Sequence, residues 1–185
     1  MRVHALSSEP AAARAGAQAM AEPEFLALYE RTARRLRAYL RRLTGDASLA
    51  DDMLQEAYLR LLRYARLGAS DGERVAFLYR AATNLVYDHW RRKRREGDGL
   101  RSIQWGPHES VPVTLGEDMA KVFDRLAPRD RALLWLTHVE GWRHAEVAGI
   151  LGLNALSVRV LAFRARAALA RHIRRAGLQP RGGSP

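Results

Sequence analysis

Three arginines near the end of the chain, Arg159, Arg164 and Arg166, stand in HAEVAGILGLNALSVRVLAFRAR, residues 144–166, which reads as a helix-turn-helix. A guanidinium presents its donors as a planar fork, the geometry that meets a phosphate or a guanine edge. Ala148, Gly152 and Val158 stand at the motif's spacing. They supply a small residue between the helices, a left-handed turn, and an anchor in the core. The arginines then project outward, where a recognition helix meets the major groove of a duplex. No Asp or Glu follows Glu146, so nothing on this tail repels phosphate.

A second constellation is Asn84, Tyr87, Asp88, His89 and Trp90, followed by Arg91-Arg92-Lys93-Arg94-Arg95. Aromatic rings stack on unpaired bases and adjacent arginines hold the backbone. An amide such as Asn84 reads a base edge. The competing reading buries Tyr87 and Trp90 in a core and makes the basic run a solvated helix end, favoured there by the macrodipole. A separate helix-turn-helix on the same chain tips the balance toward nucleic acid. Asp51, Asp52, Gln55 and Glu56 form a third group, an acidic edge opposite an apolar stripe. In so basic a chain this edge is a candidate protein-docking face. Charge favoured at a helix N-terminus explains Asp51 and Asp52 well, Glu56 less well.

Other chemistry is poorly served. His138, Glu140, His144 and Glu146 are separated by Gly141 and a helix break, so no metal site is expected. There is no phosphate loop, nucleophile elbow or dinucleotide fingerprint, so neither a cofactor nor an enzymatic activity is expected.

Helices must position these groups. The apolar spacing predicts a first helix over about 24–43, with Phe25, Leu28, Tyr29, Leu36, Tyr39, Leu40 and Leu43 on one face. Gly45 ends it, and Asp46 or Ser48 caps a second over about 48–66, striped by Met53, Leu54, Ala57, Tyr58, Leu61, Leu62 and Ala65. A loop at Gly68 to Gly72 precedes a third over about 73–95, burying Phe77, Leu78, Ala81, Leu85 and Val86. Residues 96–115 hold several Gly and Pro without periodicity and read as a linker. Helical pattern resumes near Glu117 and breaks at Leu126-Ala127-Pro128, with Pro128 in the first turn of the next helix. That helix carries Leu133, Leu134, Leu136 and Val139 and stops at Gly141; the last one runs to about Arg175. The expected fold is all-α: two small helical domains, 23–95 and 116–176, joined by a flexible linker, with a disordered leader at 1–22 and a disordered tail at 177–185. Met1 and Met20 are both possible starts.

Composition agrees. The 185 residues hold 31 Lys and Arg against 20 Asp and Glu, a net charge of +11, which points to a polyanionic partner. All the lysine and arginine positions except Lys93 and Lys121 are Arg. No cysteine is present, which excludes disulfides and thiolate-bound zinc. No run reaches the roughly 18 apolar residues of a membrane span, and residues 10–21 lack the core of a signal peptide; a cytoplasmic location is expected.

These segments together resemble a known family. Leu49–Arg60 looks like the region 2.2 helix of bacterial sigma factors, and Phe77–Arg92 looks like region 2.4. Leu126–Leu134 and the helix-turn-helix are similar to regions 4.1 and 4.2. The layout, without a region 3, is that of the extracytoplasmic-function (ECF) group of the sigma-70 family. The resemblance implies docking on the β′ clamp of core RNA polymerase through Asp51, Asp52, Gln55, Glu56, Leu59 and Arg60. It implies −10 DNA contacts from Asn84, Tyr87, Asp88, Arg91, Arg92 and Arg94, with a flipped base captured by the unassigned loop at 64–74. It implies −35 contacts from Ser157, Arg159, Phe163, Arg164 and Arg166 while the second domain meets the β flap, and a linker threading toward the active-site channel. An anti-sigma factor is a further partner of such proteins. Leu161 stands where many relatives carry a polar or basic residue, and Asn154-Ala155-Leu156 leads into the recognition helix with less polarity than usual. Two alternatives remain: an autonomous helix-turn-helix regulator whose first domain dimerises or senses a ligand, and an RNA-binding or structural protein. The first needs neither the acidic edge nor the aromatic-basic helix end, and the second leaves the helix-turn-helix spacing unexplained.

Overall fold

The computed structural model describes residues 20–64, 69–95 and 117–178, and all the regular structure among them is helical. The linker, most of the leader and tail, and Ala65 of the second stripe lie outside the described residues.

Helix α1 (Glu22–Thr44) opens with Pro23 in its first turn and Glu22 and Glu24 facing the positive end of the dipole. Gly45 closes it at φ +74°, donating its N–H to the Arg41 carbonyl. Asp46, not Ser48, caps α2 (Ala47–Tyr64), its carboxylate accepting from the Leu49 N–H at 3.0 Å. Helix α3 (Asp71–Arg95) starts two residues earlier than its apolar spacing predicts. Ser70 and Glu73 form a reciprocal capping box, with the Ser70 N–H donating to Glu73 at 2.7 Å and the Glu73 N–H to the Ser70 hydroxyl at 3.3 Å. Gly72 is therefore helical. Leu36, Leu40 and Leu43 of α1, Met53, Ala57 and Leu61 of α2, and Leu78, Ala82 and Val86 of α3 bury a common core. Tyr29 and Leu62, expected inside, stay partly exposed at its edge, where Tyr29 lies 5.0 Å from the Tyr58 ring.

The second unit begins with α4 (Glu117–Asp124) and α5 (Pro128–Leu134). Helix α5 runs into a π-helical turn, Trp135–Val139, where the Glu140 N–H reaches back five residues to the Trp135 carbonyl. The extra residue in the turn leaves Val139 exposed, against expectation, and sends the Glu140 side chain inward. Helices α6 (His144–Leu151) and α7 (Ala155–Arg175) meet at a 95° bend around Gly152, which has φ +64°. Asn154 caps α7, accepting from the Leu156 N–H at 2.9 Å. Val147, Ala148 and Ile150 of α6 pack with Val158, Ala162 and Ala165 of α7.

The two units are not merely strung on a linker; they share a seam. The Glu140 carboxylate, 2% exposed, accepts from Arg35 of α1 at 2.7 Å and from the Trp135 indole at 3.0 Å. Tyr79 of α3 also faces it and stacks edge-on against Trp142 at 5.8 Å. Nearby, Arg42 of α1 reaches into the second unit. Its guanidinium donates to the Ala120 carbonyl at 2.5 Å, lies 3.5 Å from Asp124 and sits 5.0 Å over the Phe123 ring. Arg131, fully buried, lies 3.7 Å from the same Asp124 and donates to the Arg42 carbonyl. Burial pushes the Arg131 guanidinium down to about 9, with Asp124 opposing and Arg42 adding to the shift.

The seam therefore holds two cations on one carboxylate, and the consequences differ by residue. Asp124→Asn should destabilise by about 3–5 kcal/mol, because it removes a counter-charge that two buried cations share. Arg131→Met should be neutral or stabilising, because Asp124 keeps Arg42 as its counter-charge while the desolvation cost of the second cation disappears. Urea unfolding of both variants checks the contrast. Glu140→Ala should cost about 1–3 kcal/mol by stranding the buried Trp135 N–H. Arg31→Ala, which breaks an exposed pair with Asp71, should cost less than about 1 kcal/mol in the same assay.

Candidate nucleic-acid interface

Helix α7 presents two faces. Val158, Ala162 and Ala165 recur at helical spacing and face the core. That fixes the opposite side in solvent, where Ser157, Arg159, Phe163, Arg164 and Arg166 are all exposed. Phe163 stands out at 66% exposure, and Leu156 at 83% and Val160 at 51% share its stripe. Phe163 is among the −35 contacts that the family resemblance implies, and Leu156 and Val160 are not. Positions 156, 160 and 163 repeat at four and three residues, which marks a shared face but by itself reads as core as readily as surface. Leu161, noted as an apolar departure in the recognition helix, is instead turned partly inward against the core.

The end of α3 carries the second group. Asn84 and Arg91 are exposed, and Asp88 sits on the same face, where Arg91 donates to its carboxylate across one turn. Arg92 and Arg94 are also exposed. Trp90 is buried, with Lys93 over its ring at 5.5 Å, so the ring braces the helix end. Tyr87 is largely enclosed. Burial pushes its hydroxyl up to about 12, with Arg129 and Asp130 of α5 as the charges facing it. In this arrangement the Tyr87 ring is a packing group at the seam, not an open stacking platform. Of the base-capture loop expected at 64–74, residues 65–68 lie outside the described residues and 71–74 form the first turn of α3.

On α2 the acidic edge divides. Arg37 of α1 grips Asp51 through two bonds of 2.5 Å, which holds the Asp51 carboxyl below the usual carboxylate range. Asp51 is thereby committed within the unit. Asp52 and Gln55 are exposed, Glu56 pairs with Arg60 one turn on at 2.8 Å, and Leu59 is exposed beside them. The solvent face of α2 thus mixes carboxylates with an apolar side chain. Of the four residues weighed as metal ligands, Glu140 is turned into the seam while His138, His144 and Glu146 are exposed.

Comparison with known proteins bears on these faces together. Residues 28–96 match the family Sigma-70 region 2, and residues 117–169 match Sigma-70, region 4. The chain is 32% identical over 155 residues to the ECF RNA polymerase sigma factor SigL of Mycobacterium tuberculosis, covering 80% of this chain and 88% of that one. It is 28% identical over 151 residues to the RNA polymerase sigma factor CarQ of Myxococcus xanthus, covering 78% and 86%. The fold is shared with the sigma factor RpoE in its co-crystal structure with the anti-sigma factor NepR from Bartonella quintana. That likeness has a TM-score of 0.61 at 22% identity, over 83% of this chain and 96% of that one. An autonomous regulator accounts for the second matched region alone, not for both in order. With region 2 and region 4 following one another on an all-helical chain, the protein belongs to the ECF group of sigma-70 RNA polymerase sigma factors, and so serves transcription initiation.

Proposed function

We propose that the three exposed faces divide the work of promoter use. The α2 face docks on core polymerase, the end of α3 engages the −10 strand during melting, and α7 reads the −35 duplex. The observation that carries the reading is their separation on one chain, each with chemistry suited to its target. Melted strand calls for base-edge contacts in a basic groove, which Asn84, Arg91, Arg92 and Arg94 supply. Duplex calls for a helix in the major groove, and α7 is open to solvent along its arginine-bearing side. A clamp surface rich in cations calls for the carboxylates of Asp52 and Glu56 beside Leu59. Asp51 then serves by holding α2 against α1 through Arg37.

On this reading residues 23–95 form the polymerase and −10 unit, 116–176 the −35 and β-flap unit, and 96–115 the linker between them. The two elements lie about 25 base pairs apart, roughly 85 Å at 3.4 Å per step. The longest helix, α3, has 25 residues and spans only about 38 Å. Engaging both elements at once therefore requires the seam at Glu140 and Arg42 to part. An anti-sigma factor is a natural further partner, since the Bartonella relative of this fold is held by one. The cytoplasm, where the polymerase works, is the proposed location.

Two measurements test the division. Asp52→Lys with Glu56→Lys should weaken core polymerase binding at least tenfold, because like charges then face the clamp. The fold should survive, since the Glu56–Arg60 pair is partly exposed and contributes only about 0.3–0.5 kcal/mol. Titration against purified core enzyme, with circular dichroism as control, reads both. Unchanged affinity removes the docking face. Asn84→Ala with Arg91→Ala should impair opening more than initial binding, by roughly 1–3 kcal/mol per lost base contact. Permanganate reactivity of −10 thymines on double-stranded and pre-melted templates measures this. Normal opening of the double-stranded promoter by the variant refutes the α3 assignment.

A further inference from the structure

Leu156, Val160 and Phe163 form an apolar ridge along the middle of the solvent side of α7, with Ala167 continuing it. The core of the second unit does not need them, because Val158, Ala162 and Ala165 already fill the inward face. Among the described residues nothing covers them. On a helical wheel Arg159 and Arg166 lie along one flank of the ridge, and Ser157, Arg164 and Arg171 along the other. All are exposed, and no carboxylate occurs anywhere on α7. The surface is an apolar strip between two cationic rails.

The occupant that matches is a strip with apolar points between two anionic rails. A duplex major groove has that form. It is about 12 Å wide, admits a helix of 10–12 Å diameter, and is walled by phosphates. The only apolar group that base pairs present on its floor is the C5-methyl of thymine. A protein partner would need acidic flanks on both sides of an apolar helix to satisfy the same arginines.

Resting on the reading of α7 as the duplex-reading helix, we propose that Leu156, Val160 and Phe163 are specificity-determining residues that contact thymine methyl groups. From Leu156 to Phe163 the ridge rises about 10 Å. At about 3.4 Å per base step this spans three to four base pairs. The promoters selected by this chain carry thymines, on either strand, within such a window of the upstream element. Phosphates on the two walls are held by the flanking arginines, which set position and contribute little to sequence choice.

The test removes the methyl from the DNA, not the side chain from the protein. Holoenzyme assembled from the full chain and core polymerase selects upstream elements from a randomised promoter pool. Each thymine of the selected element is then replaced by deoxyuridine, which keeps every hydrogen-bonding group. Two or three neighbouring substitutions should each weaken binding about fourfold, the worth of one buried methyl. Val160→Ala and Phe163→Ala should each abolish the deoxyuridine effect at one position while leaving the salt dependence unchanged. Selected elements without thymine, or binding indifferent to deoxyuridine, overturn the ridge assignment while leaving duplex reading by α7 intact. Loss of anti-sigma binding in Leu156→Ala, with DNA selection unaltered, assigns the ridge to a protein partner and likewise overturns it. Absence of any selected upstream element, together with no effect of Arg159→Ala or Arg166→Ala, overturns the reading of α7 itself.

Discussion

A carboxylate buried between two helical units governs how this molecule is put together. Glu140 follows the π-helical turn, and the turn is what rotates its side chain out of register with α5 and into the seam. There it accepts from a side chain of each unit, Arg35 on one side and Trp135 on the other. A buried charge tolerates few arrangements, because any opening that leaves it dry and unpaired is costly. The seam is thus specific, and apolar packing of α3 against α6, with the Tyr79 ring on Trp142, adds adhesion to its charges. Wetting Glu140 and Arg35 together offsets the loss of that one pair, since water solvates both, but not the loss of the apolar contacts beside it.

The same logic sorts the charged residues of the whole chain. Cations that touch the second unit or one another's carboxylates, such as Arg35, Arg37 and Arg42, have structural work within the protein. Among the described residues, cations on the solvent side of α7 and the end of α3 show no such work beyond the pairing of Arg91 with Asp88 and the seat of Lys93 over Trp90, and these carry the excess positive charge outward. The net charge of +11 is therefore not spread evenly in its meaning. It is concentrated, as available charge, on the two helices that the proposed function sets against DNA.

Much of the organisation was legible in the order of residues because it depends on local physics. Gly45, Gly152, Pro128 and Asn154 mark helix ends by backbone geometry and capping, which involve only near neighbours. The stripes of α1, α2 and α7 follow from helical periodicity, and Val158 had to be buried for the helix-turn-helix to close. The acidic edge of α2 and the basic end of α3 were equally visible as clusters of like charge.

What the sequence by itself determined was helix identity, order, and the chemistry each helix offers, since periodicity and caps act over a few residues. Only the tertiary structure decided which of those groups remain available. It took Asp51 for Arg37, enclosed Tyr87 beneath α5, and buried Arg131, which no pattern of spacing distinguishes from its exposed neighbour Arg129. It left Leu156, Val160 and Phe163 in solvent, although apolar side chains at four and three residues would ordinarily be read as core. The reason in each case is the same: whether a side chain is free depends on partners more than a dozen residues away, and those are set by how the helices pack, not by which helix a residue belongs to.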